Sequence, residues 1–268
     1  MKIIPSKRIL TALILIPAIL LILEKGERIA FFLLVTAAQV LALIEFYNIF
    51  SKTGIKVQKY LGILFGIFIS YLFYKNRLPE ILLTITLSVI FTSIARVFDR
   101  DGLKDSLFGI AATVSGLIYA SVLGGYLILV RNLDNGLNYI YILLIIIWGS
   151  DSGAYFIGRK WGKNKLSPAI SPNKSIEGAI GGVLAGILGA SFWWFRGEFS
   201  ILHCLIFGTL ISLAGITGDL FESLIKRTAG IKDSGNLFPG HGGILDRIDS
   251  LLFAAPVWYY YIKYFLIR

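Results

Sequence analysis

Long uninterrupted apolar runs constrain this chain more than any other feature. A helix needs roughly 20 apolar residues to cross the hydrocarbon core of a bilayer. About nine runs near that length follow one another, from Ile9 to Leu23, Ala30 to Phe50, Leu61 to Tyr74, Ile81 to Val97, Leu107 to Val130, Tyr139 to Ile157, Ile176 to Phe195, Ile201 to Ile225 and Leu251 to Ile267. Such runs predict helices, because in lipid each backbone N–H and C=O must be satisfied within the protein. With 56% hydrophobic and 16% charged residues among 268 and a mean hydropathy of +0.76, the chain is expected to be an all-α polytopic membrane protein of about nine transmembrane helices. No internal repeat or linker stands out. Residues 1–268 are therefore read as one integral membrane domain, with 1–135 supplying amino-terminal helices of unassigned role and 139–268 the catalytic helices and loops. The first run follows Lys2, Lys7 and Arg8 as a secretory signal would. It lacks a small-residue cleavage site and continues into Glu24-Lys25-Gly26, so it is read as a helix.

The formal charge of +10 does not point to nucleic acid, because the basic residues are spread among short loops. Most fall on the side shared by the amino terminus and the loops near 52–59, 96–104, 159–174 and 226–247. By the excess of Lys and Arg in cytoplasmic loops, that side faces the cytoplasm. A cytoplasm-facing polar cavity follows as an expectation. One cysteine, Cys204, and two histidines exclude an internal disulfide and a zinc site built from Cys and His alone. Tyr74, Trp193, Trp194 and Tyr259 to Tyr261 lie near span ends and are expected to be interfacial anchors.

The stretch Ser223 to Asp249 concentrates the chemistry: Ser-Leu-Ile-Lys-Arg-Thr-Ala-Gly-Ile-Lys-Asp-Ser-Gly-Asn-Leu-Phe-Pro-Gly-His-Gly-Gly-Ile-Leu-Asp-Arg-Ile-Asp. Ionisable groups between membrane spans are costly and read as functional by default. If the run from Ile201 is helical, Asp219, Ser223, Lys226 and Arg227 share a stripe near its end. Asp246 and Asp249 are three apart on the next run. Two helix ends thus carry carboxylates and cations, the donor set of a hard divalent cation completed by substrate phosphate and water. Lys226, Arg227, Lys232 and Arg247 would neutralise phosphates. The backbone at Gly240, Gly242 and Gly243 would approach an anion closely.

In type and spacing, Ser223, Lys226, Arg227, Lys232, Asp233, Gly235, Pro239, His241, Gly242, Gly243, Asp246, Arg247 and Asp249 resemble the signature of the phosphatidate cytidylyltransferase family, also called CDP-diacylglycerol synthases. About a dozen fixed positions are far more specific than a lone glycine motif.

A second stretch resembles the same family. The run Tyr-Ile-Leu-Leu-Ile-Ile-Ile-Trp breaks into Gly149-Ser150-Asp151-Ser152-Gly153-Ala154-Tyr155. If the helix continues, Asp151, Tyr155 and Arg159 share a face. Beyond it, Ser167-Pro168-Ala169-Ile170-Ser171-Pro172-Asn173-Lys174-Ser175-Ile176-Glu177-Gly178 predicts an extended, turned loop ended by Ser175 capping the next helix. That helix start, with Lys174 beside it, is a natural anion site.

The resemblance implies that CTP and phosphatidic acid react at a lipid bilayer to give CDP-diacylglycerol and pyrophosphate. Asp219, Asp246 and Asp249 would hold magnesium, or two cations. Lys226, Arg227, Lys232 and Arg247 would cover phosphate charge, His241 would donate a hydrogen bond, and Asp233 would serve the site or orient a lysine. Ser150, Asp151, Lys174, Ser175 and Ser223 would complete the substrate pocket. A bacterial-type cytoplasmic membrane is the expected location, and a homo-oligomer is left open. Two other readings stand beside this one: a CTP-dependent lipid-alcohol kinase and an ion-coupled transporter. His203, the mixed-charge cluster Asp99 to Asp105, Arg131, Asp134, Arg196 and Glu198 are set aside as structural or solvated.

Overall fold

The computed structural model describes residues 17–99, 105–235 and 242–267. Gly240 and His241, and most of the first apolar run, lie outside them. Helices account for nearly all of it: α1 (17–25), α2 (Arg28–Lys52), α3 (Lys59–Tyr74), α4 (Leu78–Val97), α5 (Ser106–Gly116), a π-helical stretch (Leu117–Val122), α6 (Leu123–Asn132), α7 (Gly136–Trp161), α8 (Ile176–Phe195), α9 (Ile201–Thr228) and α10 (Leu245–Tyr261), the last running into a second π-helical stretch (Ile262–Leu266). Within the described residues, the apolar runs of the sequence coincide with helix. Among the described residues, six helical segments are long and apolar enough to cross a membrane, counting Ser106–Asn132 as one; α3 is a shorter apolar helix. The protein is an all-α polytopic membrane protein. The Pro-rich loop between α7 and α8 folds into a two-stranded antiparallel hairpin, β1 (Lys165–Ser167) and β2 (Ser171–Ser175).

The chain forms two compact units, residues 1–132 with 228–247 and residues 133–227 with 248–268. In the first, α3, α5 and α6 approach their neighbours through glycines. A β-carbon at Gly62 would meet the Tyr47 ring, one at Gly116 the rings of Tyr47 and Phe46, and one at Gly125 that of Phe73. Tyr47 donates from its hydroxyl to Thr113 O at 2.9 Å. Where the helix widens into its π-helical stretch, Gln39 Nε2 donates to Ser121 O at 3.2 Å. A buried carbonyl that helical geometry leaves exposed thus finds a partner.

In the second unit α7 lies against α8 along a seam of small residues. A β-carbon added to Gly153 would come within 2.5 Å of Ala185 Cβ and 2.7 Å of Gly181 O; one at Gly181 would strike Ile157 Cβ at 2.5 Å. Close backbone approach of this kind is how helices associate in lipid, where apolar burial alone gives little preference for protein over lipid. Trp258 at 0% exposure ties α10 to α7 by donating from Nε1 to Tyr139 O at 2.8 Å.

The aromatic residues expected as interfacial anchors divide. Trp193, Tyr259 and Tyr261 are buried among helices, and Trp193 Nε1 donates to Asn138 Oδ1 at 2.8 Å. For these three the anchor reading is corrected: their rings and polar tips are used inside the helix packing. Trp194 and Tyr260 remain exposed.

The α7–α8 seam predicts an inverted sign for a common substitution. Gly to Ala inside a helix ordinarily stabilises by roughly 0.5–1 kcal/mol, whereas Gly153→Ala should destabilise by about 1–3 kcal/mol through overpacking. Thermal unfolding in detergent, with lipid-facing Leu184→Ala as a near-neutral reference, checks this.

Candidate active site

The second unit gathers charged residues from four segments. Asp151 lies in α7, Lys174 and Ser175 in β2, Asp219, Glu222, Ser223, Lys226 and Arg227 in the last turns of α9, and Asp249 in α10. Their meeting depends on glycine: a β-carbon at Gly218 would lie 2.5 Å from Asp249 O, and one at Gly215 would touch Ser250. Small residues in α9 therefore let α10 approach at the turn that carries Asp249, next to the residue that carries Asp219.

Asp249 is buried, accepts the Ser250 N–H at 2.7 Å, and is close enough to Asp219, Asp151 and Lys226 for their charges to act on it. Lys174 Nζ reaches Asp219 Oδ2 at 2.5 Å. Ser223 Oγ makes a long 3.5 Å contact with Asp219 Oδ1. Lys226 pairs with Glu222, four residues earlier on the helix and wholly buried. Arg227 points elsewhere: its Nε donates to Ile170 O, between the strands of the hairpin, at 3.3 Å. The stripe expected on α9 is therefore split between a buried lysine and an exposed arginine.

The hairpin is held from both ends. Ser175 caps α8, accepting the Gly178 N–H at 3.1 Å, which is the predicted cap. Glu177 accepts the backbone N–H of Lys163 and of Asn164, both at 3.1 Å. These bonds place Lys174 beside the start of α8. On α7, Arg159 donates to the Tyr155 hydroxyl at 3.2 Å, so the expected face exists. Ser150 is buried against Gly182 at the α7–α8 seam.

The first unit holds the rest of the signature. Lys232, Asp233 and Arg247 are exposed. Asp246 Oδ2 accepts from Ser234 N at 3.1 Å and Gly243 N at 2.8 Å, and lies 2.9 Å from Ser234 Oγ. Gly242 takes a left-handed backbone with φ +77, and a β-carbon there would sit 2.5 Å from Asp246 Oδ2. A β-carbon on Gly243 would lie 2.2 Å from Glu45 Oε2. Among the described residues, the anions these two glycines approach are the chain's own carboxylates.

Three residues that the sequence reading passed over neighbour those it named: Glu222 beside Lys226 in the second unit, and Glu45 and Ser234 beside the signature loop in the first. Glu45 had a signal. It is the only charged residue in the apolar run 29–51, and a lone carboxylate inside a span is a functional candidate by default.

Among the described residues no three His, Cys, Asp or Glu side chains converge as a ready-made metal site. The donor chemistry nonetheless suits a hard cation, since Asp151, Asp219 and Asp249 supply oxygen only.

The description "Cytidylyltransferase family" fits residues 6–265 of the chain. A phosphatidate cytidylyltransferase of Bacillus subtilis (strain 168) is 45% identical over 151 residues, 55% of this chain and 56% of that protein. One from Staphylococcus aureus (strain COL) is 33% identical over 253 residues, 93% of this chain and 96% of that protein. One from Staphylococcus epidermidis (strain ATCC 12228 / FDA PCI 1200) is 35% identical over the same share of each chain.

The buried pair on α9 generates a prediction about stability. Lys226→Ala leaves Glu222 charged and buried without its lysine, which commonly costs about 3–5 kcal/mol, whereas replacing both partners by residues of similar size is close to neutral. Thermal melting in detergent should show a large drop for Lys226→Ala and recovery of most of it in Glu222→Gln/Lys226→Met.

Proposed function

The chain belongs to the cytidylyltransferase family, and from that premise we propose that it is a phosphatidate cytidylyltransferase, converting CTP and phosphatidic acid to CDP-diacylglycerol and pyrophosphate. A phosphate oxygen of the lipid attacks the α-phosphorus of CTP in line; the bond from that phosphorus to the bridging oxygen breaks, and pyrophosphate leaves with its electrons. A phosphate monoester has a second pKa of about 6, so the lipid phosphate is largely ionised near neutrality and no strong general base is needed. The main obstacle is repulsion between a triphosphate and a phosphate monoester. The observation that carries the reading is the cluster of the second unit, where buried Asp249 lies near Asp219 and Asp151 and Lys174 reaches Asp219.

Asp219 and Asp249 are proposed to hold a divalent cation, magnesium, and by the signature alone Asp246 is assigned to it. When bound, the ion supplies positive charge to the CTP phosphates. Lys174, with Ser175 at the start of α8, is proposed to receive a phosphate group through cation and backbone N–H together. Lys226 sets the local balance of charge around Asp249. Arg227, Lys232 and Arg247 are proposed to cover remaining phosphate charge, with Asp233 and His241 in supporting roles and Ser150, Asp151, Ser223, Gly240, Gly242 and Gly243 around the substrates. The Lys- and Arg-rich loops support an active site and amino terminus on the cytoplasmic side of a bacterial cytoplasmic membrane, where CTP is available.

Labelled nucleotide tests this reading. With purified protein, phosphatidic acid and magnesium, label at the α-phosphorus of CTP should enter the lipid fraction, and label at the γ-phosphorus should appear in pyrophosphate. Transfer of the γ-label to lipid would identify a kinase, and absence of both would reject the reaction. Asp219→Asn should fold normally and lower turnover by about 10²–10³-fold, the usual loss when one well-placed electrostatic group is removed.

A further inference from the structure

We propose that Glu45, on α2, is a positioning residue for this transfer: its carboxylate holds together the two ends of the signature loop and, through Ser234, orients Asp246. The inference rests on the proposed function, since it takes the signature to be where the reaction is carried out.

Glu45 is 8% exposed and lies in an otherwise uncharged helical run. Both of its oxygens are engaged: Oε1 accepts the Ile244 N–H at 2.9 Å, and Oε2 accepts the Leu245 N–H at 2.9 Å and the Ser234 hydroxyl at 2.8 Å. The first two are among the N–H groups that a helix leaves unpaired at its start, here the start of α10. Normally a Ser, Thr, Asp or Asn side chain at the cap position would accept them. In this chain the residue before α10 is Ile244, whose side chain cannot accept a hydrogen bond, and the acceptor comes instead from a helix about 200 residues earlier. Asp246 adds to this by accepting the Gly243 N–H at 2.8 Å, two residues before the helix begins.

The two glycines beside Glu45 leave room for this. A β-carbon at Gly235 would lie 2.7 Å from Glu45 Oε1, and one at Gly243 would lie 2.2 Å from Oε2 and 2.3 Å from Ser234 Oγ. Ser234 is the bridge. Its hydroxyl has one proton and is within hydrogen-bond distance of Glu45 Oε2 at 2.8 Å and of Asp246 Oδ2 at 2.9 Å. Asp246 is thus held by Ser234 and by the Gly243 N–H, while Glu45 holds Ser234 and the two residues that follow Gly243. A carboxylate is a poor choice for packing alone, since an apolar residue of the same volume would be as stable or more so.

The decisive comparison is between Glu45→Gln and Glu45→Asp in the full-length protein in detergent micelles containing phosphatidic acid. Glutamine keeps the size but turns an NH2 towards a backbone N–H; aspartate keeps two accepting oxygens but is shorter. A positioning carboxylate predicts activity in the order Glu, Asp, Gln, with kcat falling about 10²-fold in Glu45→Gln and KM for CTP changing less than threefold. A packing role predicts Gln above Asp and would overturn the proposal. Hydrogen exchange gives a second readout that needs no turnover: in Glu45→Gln, peptides covering 242–250 should exchange faster while those of α7 and α8 stay native. Native exchange there, or faster exchange with native kcat, would overturn it as well. If Glu45→Gln does not fold, Ser234→Ala carries the test, with an expected drop in kcat of about tenfold and native kcat as the contrary result. A native protein that transfers no cytidylyl group would sink the functional reading and the catalytic part of this inference together, and the exchange pattern separates that outcome from failure of the clamp itself.

Discussion

A carboxylate beside lipid must be satisfied by its own protein, because losing water costs several kcal/mol for each ion. Much of this structure follows from that requirement. Glu45 meets it with two backbone N–H groups and a hydroxyl. Glu222 meets it with Lys226. Asp219 has Lys174. Asp249 is the exception, since among the charges acting on it two are acids, Asp219 and Asp151, against one lysine. Under the proposed function, a cation held between Asp219 and Asp249 would supply the compensation that one lysine does not.

Glycine makes these compensations reachable. Gly218 lets α10 come down on α9 at Asp249, Gly235 and Gly243 leave room for the Glu45 carboxylate, and Gly153 and Gly181 let α7 and α8 close on each other. A cluster of charge at a membrane face needs short distances between helices, and short distances need small residues. This links the composition of the chain, with its 28 glycines, to its chemistry without requiring any glycine to touch substrate.

Hydropathy made the helices legible, since within the described residues the apolar runs are helical. It could not distinguish a ring facing lipid from one facing another helix, so Trp193, Tyr259 and Tyr261 were misread. Ser175 was legible because an N-cap is a local pattern of a few residues. The signature positions were legible as a set, but the partners of its described members were not: Glu45 and Ser234 are 189 residues apart, and such pairing leaves no periodic trace. Ser234 itself lay in plain view inside the signature stretch. The α7–α8 seam was readable in principle from Gly149, Gly153, Gly178 and Gly182 at four-residue spacing, the small-xxx-small pattern of membrane helix pairs.

The central claim is that the acids around Asp249 take up a divalent cation together with the nucleotide. Manganese can stand in for magnesium, and its free ion is read directly by electron paramagnetic resonance. Titrating protein into a mixture of manganese and CTP should remove more free manganese than CTP alone removes, and Asp249→Asn should abolish that extra uptake while the protein remains folded. Uptake unchanged by Asp249→Asn, or no uptake beyond that of CTP, would contradict the account.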